Sequence, residues 1–135
     1  MILLTGHDVE VADWVGRKIG APIIPPYTAL GWLDEDGTLV AGIVFHTYVP
    51  NGNIDMAIAL SGRLTRPMMA TVADYMFRQC AARRCTARTA RKNERAQSIL
   101  KRIGFVQEAI CAKYFSDDDA VQFRLLKREA KRWMS

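Results

Sequence analysis

The stretch that decides the fold is residues 91–108, which read Arg91-Lys92-Asn93-Glu94-Arg95-Ala96-Gln97-Ser98-Ile99-Leu100-Lys101-Arg102-Ile103-Gly104-Phe105-Val106-Gln107-Glu108. Its apolar residues recur at helical spacing behind an asparagine, a residue type that caps the amino termini of helices. The glycine that follows is typical of a helix end. The stretch predicts a strand that ends at Lys92, a short amphipathic helix that opens at Asn93, and a strand that begins at Phe105.

Apolar periodicity predicts the other elements around this stretch. A first helix runs from about residue 8 to residue 19, and another begins near Arg66, because Pro67 suits a first helical position. The remaining runs predict strands over residues 2–4, 29–33, 39–48, 54–60, 86–90, 105–110 and 122–126. A helix connects strands 54–60 and 86–90, so this pair is expected to be parallel. The order predicts an α/β fold with a mixed, mostly antiparallel sheet and flanking helices.

Length and composition place these elements in one domain over residues 1–135. Half of the residues are apolar, which is enough for a single buried core. No apolar run approaches the roughly 20 residues of a membrane span, and the first residues lack the pattern of a signal peptide. We therefore expect a cytoplasmic protein without membrane partners. The three cysteines lack the spacing of metal sites, so we expect free, buried thiols and no metal.

The positive charge is concentrated near the decisive stretch. The formal net charge is +5, and the segment from Arg78 to Arg102 holds nine Lys or Arg residues against the single acid Glu94. Such a balance favours anionic partners. It does not choose between a nucleotide cofactor, a nucleic acid and simple solubility.

The passage from Asn93 to Phe105 resembles the GNAT superfamily of acetyl-coenzyme A-dependent N-acyltransferases. Further similar passages are Ala12-Asp13-Trp14-Val15, Ala29-Leu30-Gly31, Leu39-Val40-Ala41-Gly42-Ile43-Val44-Phe45, Leu64-Thr65-Arg66 and Leu126-Lys127-Arg128-Glu129 followed by Arg132-Trp133. Together they are similar to small, phage- or prophage-type members related to the ribosomal-protein acetyltransferase branch. The resemblance implies a GNAT-like fold in which a central parallel strand pair splays apart to admit acetyl-CoA.

The loop before Pro67 fits the diphosphate of this donor, because backbone N–H groups converge at a helix start and the helix dipole favours negative charge. We expect contacts from the loop residues Gly62, Arg63, Leu64, Thr65 and Arg66. Thr65 also suits an ordinary helix cap. The loop has one glycine where the family pattern is glycine-rich.

The resemblance assigns the pantetheine arm of the donor to two further places. One is the preceding strand at Ala57, Ile58 and Ala59, whose small alanines equally suit packing in a buried strand. The other is Asn93 with its neighbour Ala96, although an asparagine there is also a good helix cap.

Acyl transfer to an amine needs a base for the ammonium proton and an acid for the leaving thiolate. The tyrosine that serves many family members as acid corresponds to Leu100, and the glutamate that serves some as base corresponds to Arg88. Asp55 is the remaining candidate base. His46, which can titrate near neutrality, and Tyr114 are further candidates.

Three functions stay open at this point. The first is an N-acetyltransferase whose acceptor site is open, because residues 21–28 hold three prolines where most members have a second helix. Its acceptor is then a protein or another exposed amine, unless a second subunit of a homodimer supplies the missing wall. The second is a GNAT-fold interaction module without catalysis. The third is a nucleic-acid binder that uses the basic cluster Arg83, Arg84, Arg88, Arg91, Lys92 and Arg95.

Overall fold

The computed structural model describes residues 1–134 and contains one seven-stranded sheet. The strands are β1 (Ile2–Leu4), β2 (Tyr27–Leu33), β3 (Leu39–His46), β4 (Asn53–Leu60), β5 (Arg84–Ala90), β6 (Val106–Cys111) and β7 (Ala120–Leu126). The helices are α1 (Asp8–Ile19), α2 (Arg66–Asp74) and α3 (Glu94–Ile103). A π-helical turn, Tyr75–Gln79, continues α2, and a 3₁₀ helix, Lys127–Trp133, ends the described chain. The strand order is β1-β2-β3-β4-β5-β7-β6, with β4 and β5 parallel and every other neighbouring pair antiparallel.

The predicted α/β fold and the order of its elements are confirmed, and the errors lie at element ends. Of the two ends predicted for β5, residue 90 is confirmed and Lys92 is wrong, because the Lys92 N–H leaves the sheet and donates to Asp118 Oδ2 at 2.9 Å. β3 ends at His46 rather than residue 48, since Thr47 has a φ of 46°. The remaining strand ends match the prediction or differ from it by one or two residues, which is the usual uncertainty of such boundaries.

A hydrophobic layer covers each of the two faces of the sheet. On one face, α1 packs over β2, β3 and β4 through Val11 and Val15. This approach is close, because a Cβ on Gly42 would lie 2.7 Å from a methyl carbon of Val15. On the other face, α2, α3 and the 3₁₀ helix cover a larger core that includes Met69, Val72, Phe77, Leu100 and Phe123.

The parallel strands β4 and β5 separate half-way along their length. Their pairing covers only Asn53 with Arg84, Ile54 with Cys85, and Asp55 with Thr86. Beyond these pairs, β4 continues to Leu60 beside β3, and β5 continues to Ala90 beside β7. Each strand therefore keeps one partner, and the predicted splay of the central pair is confirmed.

No helix among residues 1–134 combines the length and the apolar character that a bilayer crossing requires.

Candidate functional site

The parted edges of β4 and β5 form one wall of the candidate site. Ala57 and Ala59 lie on the α1 face of β4, where both alanines pack against the core under α1, and Ile58 lies on the opposite face. From Met56 onward, β4 has no strand partner on the side of β5. Backbone polar groups on a free strand edge are available to an extended ligand. The residues predicted to meet a pantetheine arm therefore lie where the sheet is open.

The loop between β4 and α2 supplies backbone donors beside this opening. The Ser61 N–H still donates to the carbonyl of Val40, at 2.8 Å. Within residues 1–134, the next N–H groups, those of Gly62, Arg63, Leu64 and Thr65, make no hydrogen bond. Such a run of amides ahead of a helix is suited to an anion.

The residues of this loop differ in the contacts that they make within the protein. Thr65 caps α2, since its Oγ1 accepts from the Met68 N–H at 3.3 Å. Arg66 turns to the carboxyl end, where its Nη2 donates to the carbonyl of Arg132 at 3.0 Å and its guanidinium lies over the ring of Trp133. Arg63 is exposed and has no side-chain partner among the described residues. Gly62 has no positive φ, and a Cβ there would meet nothing within 4 Å, so the fold itself does not require this glycine.

The start of α3 is the other helix start that was predicted to contact acetyl-CoA. Asn93 caps the helix, as its Oδ1 accepts from the Ala96 N–H at 3.1 Å. The Nδ2 group of Asn93 has no acceptor among the described residues, so the capping role leaves one donor for a ligand. Ala96 lies beside it and is half-buried.

A chain of polar side chains crosses the sheet where β4 and β5 begin to part. Asp55 is 5% exposed, and both of its carboxylate oxygens are engaged. Asn53 Nδ2 donates to Oδ1 at 2.7 Å, and Arg88 Nη1 donates to Oδ2 at 2.9 Å. Thr86 bonds to Asn53, and Arg88 Nε donates to Gln122. The pair of Asp55 and Arg88 is thereby held rigidly at the mouth of the opening.

Two further candidate residues lie against this pair. His46 is opposite Asp55 in the register of β3 and β4. Burial lowers the pKa of His46, the Asp55 carboxylate raises it, and the Arg88 guanidinium lowers it. The balance favours a neutral imidazole at pH 7. The ring of Tyr114 lies 5.3 Å from the Arg88 guanidinium and is half exposed.

A cleft of about 1150 Å³ leads from solvent to this polar group. Its floor includes His46, Asp55 and Arg88, and one rim is the irregular segment from Ala21 to Pro26. The structure has no second helix between α1 and β2, as predicted from the prolines. Leu100, at the position of the family's acid, is 1% exposed in the core and does not reach the cleft.

The predicted basic cluster is mostly neutralised. Four of its six members form ion pairs: Arg84 with Glu108, Arg88 with Asp55, Arg91 with Asp119, and Lys92 with Asp117. Arg83 and Arg95 are exposed. A cation that is already paired with a carboxylate contributes less binding free energy when it meets a phosphate. This surface is therefore a weaker nucleic-acid site than the sequence indicated.

The remaining sequence expectations concern thiols and the carboxyl end. All three cysteines are free, with Cys85 buried and Cys80 and Cys111 only partly so, which corrects the expectation that all three are buried. Burial raises the pKa of the Cys85 thiol. Among residues 1–134 no group of three or more His, Cys, Asp or Glu residues could hold a metal ion. Trp133 donates its Nε1–H to the carbonyl of Ile103 at 2.8 Å and anchors the 3₁₀ helix.

Comparisons with known proteins place this geometry in a structural class. Neither a protein-family model nor a curated protein matches the chain. Among solved structures, mutant forms of the spermidine/spermine N-acetyltransferase SpeG from Vibrio cholerae match with a TM-score of 0.74, at 12% identity, over 97% of both chains. A chimera of that enzyme with hSSAT matches with a TM-score of 0.75, at 12% identity, over 98% of this chain and 99% of the other. A probable acetyltransferase matches with a TM-score of 0.67, at 23% identity, over 76% of this chain and 62% of that one.

The chain has the GNAT fold. At identities of 12% to 23% the likeness extends to the fold alone.

Sequence reasoning missed the partners of the central residues. Arg88, Gln122, Asn53 and Thr86 fix Asp55 in place, yet only Asp55 stood out as a candidate base. One feature of the sequence could have found them. Polar residues alternate along β4 and β5 in the middle of a sheet, where apolar side chains are expected on both faces.

Proposed function

We propose that this protein is an N-acetyltransferase that transfers an acetyl group from acetyl-CoA to an amine on a protein or another exposed acceptor. The observation that carries the proposal is the parting of β4 and β5 directly before a helix start whose amides have no acceptor in residues 1–134. The neighbours are named as acetyltransferases, which supports the same chemistry. The relation to small phage-type members rests on sequence passages alone.

The cofactor residues are proposed from their positions. The amides of residues 62–65, with Arg63, suit the diphosphate, since charge-assisted hydrogen bonds to phosphate are strong. Arg66 supports this loop through its bond to Arg132. Ala57, Ile58 and Ala59 on the open edge, and the Nδ2 of Asn93 with Ala96 beside it, suit the pantetheine arm. When bound, acetyl-CoA supplies an acetyl thioester, which an unprotonated amine converts to an amide with release of the free thiol.

The chain must then accept one proton from the incoming ammonium group. We assign this role to Asp55, directly or through a water molecule, since it lies at the mouth of the opening. Because Arg88 and Asn53 occupy its oxygens, Asp55 has to exchange one hydrogen bond to do so. His46 is the second candidate, because its lowered pKa leaves a free imidazole nitrogen at neutral pH. No residue is assigned as acid, because the family's acid position is Leu100, whose side chain carries no ionisable proton.

A second function has one observation in its favour. The position of the family's acid is a core leucine, and the position of its base is an arginine in an ion pair. These replacements suit a GNAT-fold protein that binds partners without turnover. A module of this kind would bind acetyl-CoA weakly or not at all.

Calorimetry with acetyl-CoA tests the proposal. We expect micromolar affinity, and we expect Arg63→Ala to lower it about tenfold, which corresponds to about 1.4 kcal/mol for one exposed phosphate contact. The matched control is Arg83→Ala, because Arg83 is also exposed and precedes β5, outside the loop before α2. If titration of the parent protein with acetyl-CoA gives no heat, the proposal of an enzyme is wrong and the interaction module remains. Binding without acetylation of any amine would favour the module as well.

A further inference from the structure

The residues that line the cleft indicate the chemical class of the acceptor, which the proposed function does not specify. All four tyrosines of the chain line this one cleft. Two phenylalanines, Phe45 and Phe115, join them, and the rim adds isoleucines and prolines of residues 19–26. Aromatic side chains favour apolar or aromatic ligands and can also face a single cation.

The charges in the cleft are few and already balanced. Among its lining residues, Asp55 is the only carboxylate and Arg88 is the only permanent cation. These two form an ion pair at 2.9 Å, so they present no net charge to a ligand. His46 adds no positive charge near pH 7, because burial and Arg88 lower its pKa. A polycation would therefore lose hydration in this cleft without meeting free carboxylates.

We infer that the acceptor carries a single ammonium group on an apolar or aromatic body, and that linear polyamines are poor acceptors. The inference rests on the proposed function for the identity of the acetylated amine. The body of the acceptor packs between the aromatic wall and the proline segment, and its amine reaches Asp55 and His46. The cleft is open to solvent, so the body is either a small aromatic amine or a lysine side chain flanked by apolar residues in a peptide.

The first test compares acceptors at equal concentration with acetyl-CoA present. The panel holds 2-phenylethylamine, spermidine, and a hexapeptide with an acetylated amino terminus and one lysine between apolar residues. We expect kcat/KM for 2-phenylethylamine or the peptide to exceed that for spermidine by at least about tenfold, the effect of one desolvated, unpaired charge. Whichever of 2-phenylethylamine and the peptide has the higher kcat/KM identifies the acceptor as a small aromatic amine or as a lysine side chain. Equal or faster acetylation of spermidine overturns the inference.

Charge substitution at the rim supplies a reciprocal test. Ile24 is 73% exposed at the mouth of the cleft, so Ile24→Glu adds a carboxylate without disturbing the core. We expect kcat/KM for spermidine to rise about threefold to tenfold and that for 2-phenylethylamine to stay level or fall. Val9→Glu is the matched control, since Val9 is 63% exposed on α1 and does not line the cleft. The same gain in both variants would mean that only net charge matters, and the inference would be wrong.

Binding measurements keep the inference separate from the proposed function. Side-chain NMR shifts of Tyr114 and His46 report amine binding even when acetyl-CoA does not bind. We expect 2-phenylethylamine to move these resonances at a lower concentration than spermidine does. Tyr114→Ala should weaken 2-phenylethylamine binding about threefold to tenfold, the value of one aromatic contact, and leave spermidine unaffected. A preference for spermidine in this assay contradicts the inference, whereas failure of acetyl-CoA to bind contradicts only the proposed function.

Discussion

At the scale of single residues, His46 reports the electrostatics of the site. Burial is the main cause that lowers its pKa, and the opposing charges of Asp55 and Arg88 act in contrary directions. We predict that NMR titration gives His46 a pKa below 6.5. Asp55→Asn should lower this pKa further, because it removes the attracting carboxylate. Arg88→Gln should raise it, because it removes a repelling cation.

The lowered pKa of His46 also determines how the free energy of unfolding depends on pH. Since the folded-state pKa of His46 is depressed, the unfolded chain binds more protons in the window between that pKa and 6.5. The contribution of His46 to the free energy of unfolding is therefore complete above pH 6.5 and is lost as pH falls through the folded pKa. His46→Gln should flatten the pH dependence in that window when unfolding is followed in urea. A pKa of His46 above 6.5 would refute this account and weaken its role as a base.

At the scale of elements, the end of α3 depends on one backbone conformation. Gly104 has a φ of 115°, which side chains rarely adopt, and its N–H closes the helix on the carbonyls of Leu100 and Lys101. We predict that Gly104→Ala lowers the free energy of unfolding by about 1–3 kcal/mol, measured by urea denaturation. The cost is strain rather than a clash, since the nearest atom to a Cβ is 3.8 Å away.

Gly62→Ala is the matched control for the Gly104→Ala substitution. A Cβ there meets no atom within 4 Å and the φ of Gly62 is not positive, so the change should alter stability by less than about 0.5 kcal/mol. Equal losses in the two variants would show that the αL conformation of Gly104 is not what ends α3.

Local patterns predicted the elements well because each pattern is contained within its own segment. The cap at Asn93, the stop at Gly104 and the apolar faces of α1 and α3 need no distant residue. The site was predicted less well, because its contacts join residues far apart in the chain. Arg88 meets Asp55 across 33 positions, and the point where β4 and β5 separate depends on how β7 and β3 hold them. No local periodicity encodes such a register.

At the scale of the whole molecule, the open edge of β4 and the loop before α2 form one continuous surface. The N–H groups of Gly62 to Thr65 have no acceptor in residues 1–134 and should exchange quickly with solvent. If acetyl-CoA binds there, its phosphate oxygens accept from these amides. Hydrogen exchange should then slow in residues 62–65 by up to about a hundredfold when the ligand is present at a hundred times its Kd.

The ladder between β2 and β3 is the internal control for this experiment, because its amides are already paired and lie away from the opening. Their exchange should change little when acetyl-CoA is added at a temperature where only local opening occurs. Slowed exchange around His46 and Arg88, with residues 62–65 unaffected, would put the diphosphate in the acceptor cleft. The parted strands would then be a feature of the fold and not the donor site, because the amides before α2 would not contact the diphosphate.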